Sequence, residues 1–285
     1  MSKRREGVFV AVVALLGALG VAVAQPAPRH TPRNDLSLMA REPFQVFDNL
    51  YFVGIGEVAS YVIETSAGLI LLDTMWDNEG YLDYHLGNIR KVGLDPADIE
   101  YVLILQGHRD HFGGARALQQ VIDAQFGTAA EDQKMMIEAF GDYAPRIDFI
   151  IEHGDTLTLG DTTLHLEVTP GHTPGTTSLR FPVYDNGIEY QAFFHGGPGV
   201  RSDDPAVIRR FIADLERIKQ IPNIDVQIAG HFDAWLSGTG DLFDRAALLA
   251  KRRPGEPHPW VRPAEFRAFL DERIAITRAQ LGRPR

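Results

Sequence analysis

The chain has 285 residues and no Cys, with 45% hydrophobic and 23% charged residues. That is the balance of a globular protein long enough to bury a core without staples, so disorder, collagen repeats and coiled coil are excluded as its main class. A formal charge of −10 argues against a general nucleic-acid binder, whose phosphate contacts need a basic surface. The missing Cys excludes disulfide frameworks, thiolate zinc or iron–sulfur sites and a Cys nucleophile.

Residues 2–5 read Ser-Lys-Arg-Arg, and Gly7 to Ala24 carry no charge. With Ala22-Val23-Ala24 before Gln25-Pro26, residues 1–24 have the pattern of a secretory signal peptide cut after an A-x-A site. A retained anchor is the other reading, because 18 uncharged residues just reach the length of a spanning helix. Cleavage predicts a periplasmic or secreted protein with no stable membrane association, and it fits the lack of Cys, since a free thiol would be oxidised there. Residues 25–42 hold three Pro and no periodicity, and read as an N-terminal tail. Residues 43–285 read as a single domain, with no linker inside it.

Phe44–Phe47 and Leu50–Gly54 read as strands around Asp48-Asn49, and Ala59–Glu64 with Leu69–Leu72 as a hairpin ending at Asp73-Thr74. Asn78–Val92 has helical spacing, with Leu82, Leu86 and Ile89 on one stripe and Gly93 as its stop. Tyr101–Leu105 is an uninterrupted apolar run, the mark of a strand covered on both faces. Gly114–Ile122 and Gln133–Phe140 read as helices. Phe149–Ile151, Thr156–Leu159 and Thr162–Val168 follow as strands, then a hairpin of Thr177–Val183 and Tyr190–Phe194. Pro205–Ile218 is a helix, Val226–Ala229 a short strand, and Leu242–Lys251 and Pro263–Leu281 are closing helices. Strand-rich stretches and helices alternate through both halves, which two mixed sheets covered by helices would satisfy.

The chemistry concentrates in Gln106-Gly107-His108-Arg109-Asp110-His111-Phe112-Gly113-Gly114, directly after the buried strand. In an irregular loop His108, Asp110 and His111 can point to different sides and need not bind one ion, and Gly113-Gly114 lets the chain bend into the next helix. His172 sits in a stiff turn, Thr169-Pro170-Gly171-His172-Thr173-Pro174-Gly175, after a second strand, and His231 follows a third. Imidazole and carboxylate without sulfur suit zinc in an open catalytic site, where two ions roughly 3.5–4 Å apart can share a hydroxide. A polar loop with incidental His is the plain alternative. Asp73, at a strand end, either bonds to a His ligand from behind or is an ordinary turn residue. His165 is read as facing solvent or a helix, and His85 and His153 as surface residues. Arg109 reads equally as an outward structural residue or as part of a substrate rim.

The His108-x-Asp110-His111 element between strand and helix, the PGHTPG turn and the last strand-end His resemble the metallo-β-lactamase superfamily over about residues 44–235. They are most similar to the third subclass of class B β-lactamases. The resemblance implies an α/β fold, a four-layer αββα sandwich of two mixed sheets. It assigns one zinc to Gln106, His108 and His172 and another to Asp110, His111 and His231, with one or two ions in use. The chain departs from the pattern at Gln106, where the family has His; some third-subclass members carry Gln there. An amide oxygen is the weaker zinc donor, so that first site is expected to bind less tightly.

A second departure lies in Phe193-Phe194-His195-Gly196-Gly197-Pro198-Gly199. Glyoxalase-II-like and lactonase relatives carry a metal-bridging Asp at that hairpin end, and the first two β-lactamase subclasses a Cys; here there is neither. His195 is one or two positions off, and is read as standing behind a ligand or lining the pocket. The implied activity is a zinc-dependent hydrolase, a β-lactamase conferring antibiotic resistance that opens the β-lactam amide with a zinc-held hydroxide. Asp110 would orient the water or accept its proton. The alternative is hydrolysis of lactones or other esters; a third reading is a metal-binding protein that has lost catalysis. The ligand set carries one negative charge, so the site stays cationic and favours an anionic small molecule. The short segment between Phe140 and Phe149, where such β-lactamases often have a longer loop, weighs against β-lactam specificity.

Overall fold

The computed structural model describes residues 32–282; the leader and tail residues 25–31 lie outside them. A seven-stranded sheet runs in chain order through β1 (Phe44–Phe47), β2 (Leu50–Phe52), β3 (Tyr61–Thr65), β4 (Gly68–Leu72), β5 (Ile99–Leu103), β6 (Gln125–Ala129) and β7 (Phe149–Ile151). It is an antiparallel meander as far as β4 and parallel from β4 to β7. A five-stranded sheet follows, built from β8 (Thr156–Leu159), β9 (Thr162–Val168), β10 (Thr177–Asp185), β11 (Ile188–His195) and β12 (Val226–Ala229) in the order β12-β11-β10-β9-β8. The helices are α1 (Leu36–Met39), α2 (Tyr81–Lys91), α3 (Arg109–Phe112), α4 (Ala115–Leu118), α5 (Ala130–Phe140), α6 (Pro205–Lys219), α7 (Leu242–Ala250) and α8 (Pro263–Leu281).

The period of two along each strand sorts side chains into layers. Leu179, Phe181 and Val183 of β10 meet Ile63, Leu72, Leu103 and Leu105 between the sheets. Val102 and Ile104 point the other way, to Leu86, Ile89, Leu118 and Met136 beneath α2, α4 and α5. The run Tyr101–Leu105 is therefore covered on both faces, as its composition requires. Phe193 points out between Ala192 and Phe194 and packs on Phe211 of α6 and Phe269 of α8. The result is the four-layer αββα sandwich. Each fully buried Phe or Leu contributes roughly 1.5–3 kcal/mol, which makes the strand ends firm mounts for polar side chains.

Some elements differ from expectation for identifiable reasons. The strand at Tyr101–Leu105 starts at Ile99 and stops pairing at Leu103, because the Leu105 N–H donates to the Asp73 carboxylate (2.8 Å) instead of the ladder. β6 gives no alternating signal; its Gly127 exists because the Phe149 ring lies 2.2 Å from where a Cβ would sit. The expected helix Gly114–Ile122 is a single turn, α4. Residues 32–42 of the expected tail are docked: the Gly56 N–H donates to Met39 O, and the Arg41 N–H donates to Tyr84 Oη.

His85 is not at the surface. It is buried, with Nε2 3.0 Å from Ser60 Oγ, and burial lowers its pKa from 6.5 to about 4. His258, lowered to about 4 by burial, stacks on Phe47 with ring centres 4.0 Å apart. The unfolded chain therefore takes up more protons than the folded one between these values, and stability should fall as the pH drops from about 6.5 toward 4. Urea unfolding at about pH 7 and about pH 5 checks this. The His85→Leu variant should lose part of the acid sensitivity, and an unchanged pH dependence would contradict the assignment.

Candidate metal centre

The expected ligands meet at the edge where β4, β5, β9, β11 and β12 end, the rim at which open α/β sheets present their sites. His108 is the residue before α3, so Asp110 and His111 stand on a helical turn, not in an irregular loop. Gly113 and Gly114 have ordinary helical φ of −54° and −72°. They are needed for closeness rather than bending: a Cβ would come within 2.6 Å of Arg109 O and 2.3 Å of Thr74 O, respectively.

Asp110, His111 and His231 form one cluster, with one ligand atom from each lying within 4.8 Å of the others. Asp110 Oδ2 is 3.6 Å from His111 Nε2 and 3.5 Å from His231 Nε2, and the two Nε2 atoms are 3.1 Å apart. The back of each ring fixes its proton. His111 Nδ1 donates to Asp73 Oδ2 (2.6 Å), and His231 Nδ1 donates to the Glu57 carbonyl (3.1 Å). A carbonyl can only accept, so His231 turns a bare Nε2 lone pair toward the cluster; His111 turns its Nε2 the same way, and although burial opposes it, the Asp73 and Asp110 carboxylates raise its pKa. Two facing lone pairs and a carboxylate oxygen are a donor set for a divalent cation.

His172 follows the same rule. Its Nδ1 donates to Gly199 O (2.9 Å), while its Nε2 is buried with no hydrogen-bond partner among the described residues. His108 lies edge-on to it, with ring centres 4.9 Å apart. Gln106 joins the two groups. Its Nε2 donates to Gly196 O (3.1 Å), which orients the amide. The other Nε2 hydrogen then points at His111 Nε2 (2.7 Å), and Oε1 accepts from His108 Nδ1 (2.7 Å). The six expected ligands thus sit together, with the Gln106 amide competing for one of the lone pairs.

Burial, first, and neighbouring positive charge lower His172 to about 3; burial likewise brings His108 and His231 to about 4. All three stay neutral near pH 7, the form that binds metal. Burial alone would raise the Asp110 pKa, but the adjacent His111, His231 and His108 outweigh it and hold the carboxyl below its usual range.

Asp73 stands directly behind His111, holding φ at +60°, a left-handed backbone that costs a non-glycine residue about 1 kcal/mol or more. His195 is not behind a ligand. Its ring lies among Phe193, Phe211 and Phe269, and its Nδ1 accepts from the Gly197 N–H. Arg109 turns away to a bidentate pair with Asp77 (2.8 and 2.6 Å). Sequence reasoning missed Asp132. This fully buried carboxylate accepts from the Gly107 N–H (2.8 Å), the Gly175 N–H (2.7 Å) and Thr173 Oγ1 (2.6 Å), tying the His108 and His172 loops together. Its place in the first turn of α5, where acidic residues are ordinary, gave no signal. Glu57, whose carbonyl holds His231, was missed too.

A cavity of about 890 Å³ opens beside the cluster, lined by His172, His231, Glu57, Phe232, Phe243 and several arginines. A profile of the metallo-β-lactamase superfamily matches residues 53–185. The chain superposes on BJP-1, a subclass B3 metallo-β-lactamase of Bradyrhizobium japonicum, over 85% of its own length and 96% of the other, with 30% identity and a TM-score of 0.69. It is 27% identical over 161 residues to a hydroxyacylglutathione hydrolase of Hyphomonas neptunium and 29% identical over 153 residues to an N-acyl homoserine lactonase of a Bacillus species. These two matches cover 51% and 45% of this chain, and each spans only 59% of the relative.

Removing the support behind His111 should weaken metal binding. Asp73→Ala is expected to lower zinc affinity about 10–100-fold in a competition titration with a chromophoric chelator; an unchanged affinity would contradict the arrangement. In the same titration Gln106→His should tighten uptake at the His108–His172 side, because imidazole is the better donor. Equal affinities would refute the competing role of the amide.

Proposed function

Because the chain belongs to the metallo-β-lactamase superfamily, we propose that it is a zinc-dependent hydrolase whose preferred bond is the amide of a β-lactam ring. The observation that carries this reading is the convergence of Asp110 Oδ2, His111 Nε2 and His231 Nε2, with no acidic or thiol side chain reaching in from the end of β11. Two imidazoles and one ionised carboxylate, without sulfur, suit zinc. Zinc held there supplies Lewis acidity, polarising a carbonyl and making water acidic enough to attack near pH 7.

The chain's own residues do the rest. Asp110, kept ionised by its neighbours, orients the attacking water and accepts its proton. Asp73 and the Glu57 carbonyl engage the Nδ1 atoms of the two imidazoles, so both Nε2 atoms are turned toward the cluster. Arg201 lies close enough to His108 and His172 to depress both and draws the substrate carboxylate to that side. Export through the leader at residues 1–24, and a role in antibiotic resistance, belong to the same proposal. No helix among the described residues is long and apolar enough to cross a membrane.

The second reading is hydrolysis of lactones or thioesters. It draws on the hydroxyacylglutathione hydrolase and lactonase matches, and on the short connection from α5 to β7. Purified zinc-loaded protein should open penicillin, cephalosporin or carbapenem rings faster than acyl-homoserine lactones. It should lose this activity to a chelator and regain it with zinc. Asp110→Ala should lower kcat/KM on the order of 10³-fold with an unchanged unfolding midpoint. Hydrolysis that survives chelation would overturn the metal reading, and a preference for lactones would select the second one.

A further inference from the structure

The acidic chain lines its cavity with four arginines: Arg33, Arg41, Arg201 and Arg273. Three acids share the wall, Glu57, Asp233 and Asp241. Glu57 is paired with Arg33 (3.2 Å), and Asp241 caps α7 by accepting from the Phe243 and Asp244 N–H groups. Arg273 is paired with Glu272 (2.7 Å), which leaves Arg41 and Arg201 as the two lining arginines without a carboxylate partner among the described residues.

Two of those cations are placed in different ways at different points. Arg201 is anchored through its backbone, whose N–H donates to Gly171 O (2.8 Å), the residue before His172. Arg41 comes from the segment ahead of β1. Its Nη1 donates to Leu38 O (3.1 Å) and Ala40 O (2.8 Å), and its guanidinium lies 5.4 Å from the centre of the Phe243 ring. It also packs on the bare Cα of Gly56, where a Cβ would come within 2.8 Å of Nη2. Arg41 is therefore a guanidinium held by its own backbone, an aromatic face and a glycine, with no carboxylate partner among the described residues. Fixing a fork-shaped donor beforehand removes the entropy cost of ordering it on binding.

We propose that Arg41 and Arg201 are two separate anion stations, and that the site therefore selects substrates carrying two spaced carboxylates over those carrying one. This rests on the hydrolase reading and extends it to substrate class. The docked segment 32–42 becomes part of the substrate site, because it delivers Arg41 to the lining of the cavity that also holds His172.

The test compares a penicillin bearing a second carboxylate on its side chain with the matching monocarboxylate, using the zinc-loaded full chain. The wild type should favour the dianion by about tenfold or more in kcat/KM. Arg41→Ala should collapse that ratio toward one, mainly through KM, with zinc content unchanged, and Arg41→Lys should restore part of it. Arg253→Ala, which removes an exposed charge outside this cavity, should leave the ratio as it is. A second arm needs neither metal nor turnover: calorimetry of the metal-free protein with heptanedioate against hexanoate, before and after Arg41→Ala. If no substrate is hydrolysed, the hydrolase reading fails and this arm alone decides the stations. Equal binding of the two acids, or a ratio untouched by Arg41→Ala, overturns the proposal.

Discussion

The site depends on a proton constraint at the backs of its imidazoles. His111, His231 and His172 each give the Nδ1 hydrogen to a fixed acceptor: the Asp73 carboxylate, the Glu57 carbonyl and the Gly199 carbonyl. What remains on each ring is a lone pair on Nε2, and two of these face each other across 3.1 Å. In that tautomer the two imidazoles have no hydrogen to share between them; the Gln106 N–H meets one lone pair, and a divalent cation would engage both. The three acceptors lie on different parts of the chain: the end of β4, the loop before β3 and the loop after β11. The lone pairs converge because both sheets of the sandwich end at one rim. Val58 and His231 form a β-bridge that joins those rims.

Much of the fold was legible because long periodic segments report their own burial. Val226–Ala229 and Pro263–Leu281 occur as read from the sequence, and the unbroken Tyr101–Leu105 run marked the strand beneath the site. His108, Asp110, His111, His172 and His231 stood out because strand-end His and Asp residues are rare and chemically specific, whereas Gln106 was named only by the family resemblance. What stayed hidden has a physical cause in each case. β6 is built around a glycine demanded by a distant ring, Phe149, so no local pattern announces it. Asp132 looks like a helix-start acid, and only the tertiary fold turns it into the brace between two ligand loops. His85 was misplaced although it falls at i+3 from Leu82 and i−4 from Ile89, on the apolar stripe itself; polarity was weighed above position. The His195 ring belongs to the layer between β11, α6 and α8, a choice of face that one step in strand register decides.

Global charge and local charge point in opposite directions. A chain of −10 carries a cavity lined by four arginines against three acids. Composition could exclude a nucleic-acid surface, but the local charge at the site depends on which groups are already engaged: Glu57 with Arg33, Arg273 with Glu272 and Asp241 with the start of α7. The docking of residues 32–42 contributes to this pairing, so a stretch that reads as a featureless tail shapes what the cavity can hold.

The most direct measurement is anomalous X-ray scattering at the zinc edge from crystals of the zinc-loaded protein. The account predicts a zinc peak about 2.0–2.2 Å from Asp110, His111 Nε2 and His231 Nε2. Zinc bound only elsewhere on the surface, with those three side chains still in mutual contact, would contradict it.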